Sequence, residues 1–220
     1  MKTFENVLQP SYNELLNSDH KLKGKWNSGF FRNDHPIMLE LGCGKGEYTT
    51  GLACIFPDKN FIGIDIKGAR MWKGASHARK DKLKNVAFVR TKIEMINSLF
   101  SYNEISGIWL TFPDPQLRRK KLVKKRLLSA RFLNSYKNFL KPGASIHLKT
   151  DNDVLYNYAL DIINKNKLPI VRYADDIYNS DIFDEILSIR TYYEEQFIKE
   201  GKRIKYVEFT LSQGKEFVEP

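Results

Sequence analysis

Five short apolar runs punctuate this chain, most of them separated by stretches with helical spacing. Ile37 to Leu41, Phe61 to Ile66, Val86 to Arg90, Ile105 to Phe112 and Ser145 to Lys149 read as strands. Tyr48 to Ile55, Gly68 to Arg79, Ala130 to Leu140 and Asn152 to Asn164 read as helices, the third with Ser129 as its N-cap. Strands too apolar for one wet face, alternating with helices, require a mostly parallel sheet covered on both sides. After Leu168 the pattern changes. Ile170 to Tyr173 and Lys205 to Leu211 read as two further strands flanking a helix around Ser188 to Glu200, which predicts an antiparallel edge. The expected fold is a doubly wound α/β sheet, mostly parallel, with that antiparallel edge and helices on both faces.

A chain of 220 residues can bury one substantial core. Residues 1–35 are weakly periodic and carry Lys21, Lys23 and Lys25, so they read as a mobile basic arm with a short helix around Tyr12 to Leu16. Residues 36–220 read as a single domain. The balance of 36 Lys and Arg against 26 Asp and Glu gives a net charge of +10, which favours an anionic partner. No apolar run is long enough to span a bilayer and no signal-like segment opens the chain, so a cytoplasmic protein without a membrane partner is expected. Cys43 and Cys54 lack a metal-ligand spacing, and His20, His35, His77 and His147 are scattered, so no metal site is expected. Cys43 reads as a small apolar filler.

The first strand runs into Gly42-Cys43-Gly44-Lys45-Gly46 and then into a helix. Glycines at alternate positions allow positive φ and let a ligand approach the backbone. The spacing is not that of a dinucleotide turn, and no Lys-Ser/Thr pair follows to make a phosphate loop. Glu40, just before the turn, suits a cationic or polar ligand. Asp65 closes the second strand, where a carboxylate can accept both hydroxyls of a ribose. Together these predict an adenosine ligand with a positive or zwitterionic tail, such as S-adenosylmethionine.

The fourth strand leads into Phe112-Pro113-Asp114-Pro115, a carboxylate held between two prolines. At that sheet position Asp114 should face the substrate or the transferred group. Directly afterwards come seven cations in nine residues, Arg118 to Arg126, and the helix from Gly68 adds a second cluster including Arg70, Lys73, Arg79 and Lys80. Two such clusters favour nucleic acid. Met71 and Trp72 within that helix read as core.

Glu40-Leu41-Gly42-Cys43-Gly44-Lys45-Gly46, Gly63-Ile64-Asp65, Phe112-Pro113-Asp114-Pro115, Lys149-Thr150-Asp151 and Thr191-Tyr192-Tyr193-Glu194 stand in an order that resembles the bacterial tRNA (guanine-N(7)-)-methyltransferases. The resemblance spans about residues 36 to 211. It implies a Rossmann-like fold, with S-adenosylmethionine held by Glu40, Gly42, Gly44, Gly46 and Asp65. It also places Ile93 and Glu94, after the third strand, at the cofactor, and Asp114 between cofactor and guanine. Arg118, Asp151, Thr191, Tyr192, Tyr193 and Glu194 would contact tRNA. The chain departs from the family at Gln116-Leu117-Arg118, where Trp-Pro-Lys is usual, and at Lys92-Ile93, where Asp-Ala is common; Glu94 can supply the missing carboxylate. The alternatives are a methyltransferase for another RNA or a protein, and a non-catalytic basic RNA-binding module. Monomer and homodimer both stay open.

Overall fold

The computed structural model describes residues 4–117, 120–212 and 214–220. Its strands are β1 (Val7–Leu8), β2 (Ile37–Leu41), β3 (Asn60–Asp65), β4 (Val86–Arg90), β5 (Ile105–Thr111), β6 (Leu140–Thr150), β7 (Ile170–Ala174) and β8 (Lys205–Thr210). Its α-helices are α1 (Tyr12–Asn17), α2 (Glu47–Ile55), α3 (Gly68–Lys80), α4 (Ala130–Tyr136), α5 (Asp153–Asn166) and α6 (Tyr192–Lys199). The eight strands form one sheet in the order β1-β4-β3-β2-β5-β6-β8-β7. Pairings from β1 to β6 are parallel, whereas β8 runs antiparallel to both β6 and β7. The doubly wound sheet with an antiparallel edge is thus observed.

Alternation along the strands divides the core between the two faces. Ile37, Leu39 and Leu41 of β2, with Ile108 and Leu110 of β5, join one buried cluster with Leu133, Tyr136, Ala159 and Ile162 of α4 and α5. Trp109 of β5 turns to the other face, where it meets Tyr48, Leu52, Met71 and Ala75 of α2 and α3. All strand carboxyl ends of the parallel portion point to one edge, so the turns after β2, β3, β4, β5 and β6 gather there.

The expectation of a mobile arm over residues 1–35 is corrected from residue 4 onward. Val7 and Leu8 pair with Phe88 and Val89, adding a parallel edge strand. Trp26 is fully buried, and its indole N–H donates to the carbonyl of Leu99 at 2.9 Å. Glu104 accepts the backbone N–H groups of Gly24 and Ser101, both at 2.8 Å, and so pins this segment to the turn before β5. The buried apolar residues from Leu22 to Phe31 lie in a turn and a six-residue π-helix, Trp26–Phe31, so they repeat at neither 3.6 nor 2.

The third helix also differs from expectation. It ends at Tyr136 and the chain turns into β6 at Leu140, which pairs with Ile105. Ser129 stands at the N-cap, but its hydroxyl donates back to the carbonyl of Lys124 at 3.1 Å. Met71 is fully buried, while Trp72 is 49% exposed and meets Phe4 edge-on, so the reading of Trp72 as core is corrected.

Candidate active site

The glycine turn after β2 is built by backbone geometry that other residues rarely adopt. Gly44 has φ 54°, and a Cβ there would meet no heavy atom closer than 4.0 Å, so the space above it is open for a ligand. Gly46, at φ 70°, starts α2, and a Cβ would lie 2.6 Å from the Phe88 ring. Asp65, at the end of β3, locks the turn. Its Oδ2 accepts the Gly44 N–H at 2.9 Å and its Oδ1 accepts the Lys67 N–H at 2.7 Å. Each oxygen keeps lone-pair capacity for a further donor.

Glu40 lies beneath this turn, 3% exposed. Its carboxylate accepts the Thr49 N–H at 2.8 Å and the hydroxyls of Thr49 and Thr111. Burial pushes the Glu40 carboxyl up to about 7, against the pull of those hydrogen bonds. Glu40 therefore ties β2, the start of α2 and the end of β5 into one unit.

On the opposite side, β5 ends at Thr111 and the chain makes the acidic turn. Phe112 adopts φ 48° directly before a proline, a combination disfavoured on both counts. Its N–H is held by the carbonyl of Lys149 at 2.8 Å. Gln116 also has a positive φ, and its N–H donates to Oδ1 of Asp114 at 2.9 Å. Asp114 is exposed, with its second oxygen open to solvent or ligand.

A cleft of about 700 Å³ joins these parts. Its lining brings together Glu40, Gly42, Gly44, Asp65, Ile93, Glu94, Asp114, Asp151, Thr191 and Tyr193, all of them anticipated from the sequence. Gly46 sits behind the turn, buried under it. Tyr192 lies at the rim, with the Lys45 ammonium 3.2 Å from its ring centre and its N–H donated to Glu47 at 2.9 Å. Arg118 lies outside the described residues. A second hollow, of about 880 Å³, adjoins the cleft and shares Asp151 and Asn152 with it.

Glu194 differs from the expectation of a tRNA contact. It is fully buried, and its carboxylate pairs with Lys149 at 2.8 Å and accepts the Tyr178 hydroxyl at 2.9 Å. It also completes a capping box with Thr191 at the start of α6, which leaves it inside the protein beneath the cleft wall. The sequence singled out neither Lys149 nor Phe197, and it marked Lys67, Arg70 and Lys125 only as members of the two basic clusters. Lys67, Arg70, Lys125 and Phe197 line the cleft, and Arg70 lies 5.5 Å from the Tyr193 ring centre. Lys149 stands inside a quoted motif, but a lysine in a strand gives no sign in sequence of being fully buried.

The donors present fit an adenosine ligand carrying a cationic centre. Open space lies over Gly44, Asp65 offers acceptors for hydroxyl groups, and Glu94 adds a carboxylate beyond β4. Lys67, Arg70, Lys92 and Lys125 line the same cleft and suit a polyanion arriving from outside. Among the described residues, no three His, Cys, Asp or Glu side chains gather in a way that could hold a metal ion. None of the described helices is long and apolar enough to cross a membrane.

A family model described as "Putative methyltransferase" matches residues 34–207. A curated tRNA (guanine-N(7)-)-methyltransferase of Bacteroides thetaiotaomicron is 49% identical over 220 residues, covering 100% of this chain and 86% of that protein. One from Christiangramia forsetii is 51% identical over 209 residues, covering 94% of this chain and 93% of that protein. Among solved structures, "Structure of an Antibiotic Related Methyltransferase" superposes with a TM-score of 0.64 at 17% identity, covering 89% of this chain and 97% of that one. The 16S rRNA methyltransferase KamB superposes with a TM-score of 0.61 at 15% identity, covering 84% and 92%. These two likenesses concern the fold, which is the Rossmann-like sheet of methyltransferases. With sheet, cleft and sequence in agreement, the chain belongs to the tRNA (guanine-N(7)-)-methyltransferase family.

Proposed function

We propose that this protein transfers the methyl group of S-adenosylmethionine to N(7) of a guanine in tRNA, working in the cytoplasm. The observation that carries this reading is one continuous cleft in which the glycine turn and Asp65 face the acidic turn at Asp114. The names of the relatives support guanine N(7) and tRNA as the acceptor.

In this reading Gly42, Gly44, Asp65, Ile93 and Glu94 hold the methyl donor, with Glu40 and Gly46 shaping the turn from beneath. When bound, S-adenosylmethionine supplies an electrophilic methyl group on a sulfonium. Guanine N(7) carries a free lone pair and no proton at neutral pH, so no general base is required. The task of the protein is to hold the base in line with the methyl group and to exclude water. Asp114 accepts hydrogen bonds from guanine N–H groups, which selects guanine over adenine. As the purine gains positive charge, the same carboxylate stabilises it more in the transition state than in the ground state.

Asp151, Thr191, Tyr192 and Tyr193 contact the RNA around the target base, Arg118 contributes a phosphate contact, and Glu194 acts from beneath by fixing α6. The deciding experiment is transfer of labelled methyl to bulk unmodified tRNA followed by nucleoside analysis. Label in 7-methylguanosine is expected. Label in another nucleoside or in protein would move the acceptor elsewhere, and tRNA binding with no transfer would favour a non-catalytic RNA-binding module.

A further inference from the structure

Arg126 belongs by sequence to the basic run, yet it faces the protein interior and is only 7% exposed. A buried guanidinium is costly unless its donors and charge are matched. Its Nε donates to the carbonyl of Pro115, in the acidic turn, at 2.9 Å. Its guanidinium carbon lies 4.4 Å from the centre of the Tyr158 ring, a cation–π contact with α5.

The contact continues beyond Tyr158. The Tyr158 hydroxyl donates to Oε2 of Glu219 at 2.6 Å, a short charge-assisted hydrogen bond. Oε1 of Glu219 accepts the N–H of Ala130, the first residue of α4, at 3.1 Å. Two reciprocal amide pairs secure the segment that carries Glu219. The Asn134 side chain both donates to and accepts from the Phe217 backbone, each at 2.9 Å. The Asn166 side chain does the same with Val218, again at 2.9 Å in both directions. Phe217 is buried as well.

A fixed anchor of this kind matters because the turn it reaches is strained. Phe112 and Gln116 both hold positive φ on either side of Asp114, and such backbone persists only where its surroundings over-determine it. One flank is held by the bond from the Phe112 N–H to the Lys149 carbonyl. The other flank is held by Arg126.

We propose that Arg126 and Tyr158 are positioning residues that keep the acidic turn in its working shape, with residues 215–219 as their anchor, an inference that rests on the methyl-transfer reading above. Neither side chain touches substrate; both act through the Pro115 carbonyl on the placement of Asp114. Arg126 is thereby set apart from the rest of the basic run, because its charge serves the fold of the turn and not RNA phosphate.

The test compares methyl transfer to unmodified tRNA by the wild type with that of Arg126→Lys, Tyr158→Phe and Glu219→Gln. Arg126→Lys keeps the charge but lacks Nε. It should lower kcat roughly tenfold, with the KM for tRNA and the salt dependence of binding unchanged, since small misplacements cost rate and not affinity. Tyr158→Phe keeps the ring over Arg126 and releases only Glu219, so a fall in kcat of about threefold is expected. Glu219→Gln keeps one oxygen for the Ala130 N–H and loses the carboxylate oxygen that accepts the Tyr158 hydroxyl. The double variant Tyr158→Phe/Glu219→Gln should therefore match Tyr158→Phe alone. Unchanged affinity for S-adenosylhomocysteine reports that each variant is folded. If Arg126→Lys does not fold, the other two variants carry the test, since both leave Arg126 in place. A kcat within twofold of wild type for every folded variant overturns the proposal, as does a raised KM with a flatter salt slope for Arg126→Lys. A wild type that forms no 7-methylguanosine overturns the function reading itself, and the positioning role with it.

Discussion

The Lys149 ammonium lies 2.8 Å from the Glu194 carboxylate, and neither side chain is exposed to solvent. Lys149 also donates to the carbonyls of Leu187 and Ile189, at 2.8 and 3.0 Å. A strand-borne cation thus fastens the segment before α6, while its partner sits in the first turn of that helix. Since Tyr193 lines the cleft from the same turn, the buried pair sets where the cleft wall stands.

Removing one partner leaves a buried charge unmatched, which costs about 3–5 kcal/mol. Glu194→Gln and Lys149→Met should each lower unfolding free energy in urea by that order. The double variant Lys149→Met/Glu194→Met should recover part of the loss, because no lone charge remains. A loss in the double variant equal to the sum of the two single losses would show that the two groups do not depend on each other.

This pair also marks what a sequence cannot convey. The parallel strands β2 to β5 were readable because each is an apolar run, and β2 and β3 end at a glycine or an acidic residue, at Leu41-Gly42 and Asp65. The cleft residues were readable for a related reason, since turn chemistry is local: Gly44, Asp65 and Asp114 sit in consecutive-residue patterns. Glu194 and Arg126 were misread because charge predicts exposure on average, and their burial comes from partners far along the chain, at Lys149 and Tyr158. Trp72 was misread in the opposite direction. Its ring rests against Phe4, and no periodicity announced that the segment from residue 4 would pack there.

Glu40 gives a pH dependence whose sign follows from burial. Its carboxyl is raised from 4.5 to about 7 in the folded protein, so the folded state binds more protons than the unfolded state between those values. The stabilisation this represents is fully present below pH 4.5 and is lost as pH rises to about 7. It amounts to about 3 kcal/mol at 1.36 kcal/mol per pH unit. Glu40→Gln imitates the neutral form, so its stability relative to wild type should rise across this window in paired urea titrations. A difference independent of pH would show that Glu40 is ionised throughout.

Asp114 stands exposed at the cleft with one oxygen engaged by the Gln116 N–H. Asp114→Ala removes the group proposed to meet the guanine and leaves the glycine turn and Asp65 untouched. Turnover should fall at least tenfold, equivalent to about 1.4 kcal/mol of lost transition-state stabilisation. S-Adenosylhomocysteine affinity, measured by calorimetry, should stay within a few-fold of wild type. Near-normal turnover would remove Asp114 from the catalytic role.

The basic face of α3 leads away from the cleft. Lys73 and Lys80 are exposed and seven residues apart, two helical turns along the same side, and Trp72 is exposed beside them. Neither lysine lines the cleft. If tRNA lies along this helix, each lysine displaces a counterion from a phosphate, and each contact contributes about 0.9 to the slope of log affinity against log salt on duplex RNA-like backbone. Lys73→Ala/Lys80→Ala should therefore flatten that slope by nearly two while leaving kcat at saturating tRNA unchanged. The KM for tRNA should rise at moderate salt and converge with that of wild type as salt increases, because the lost contacts are screened in both proteins. A slope equal to that of wild type would place the RNA on a different face and leave the α3 lysines as solvated surface.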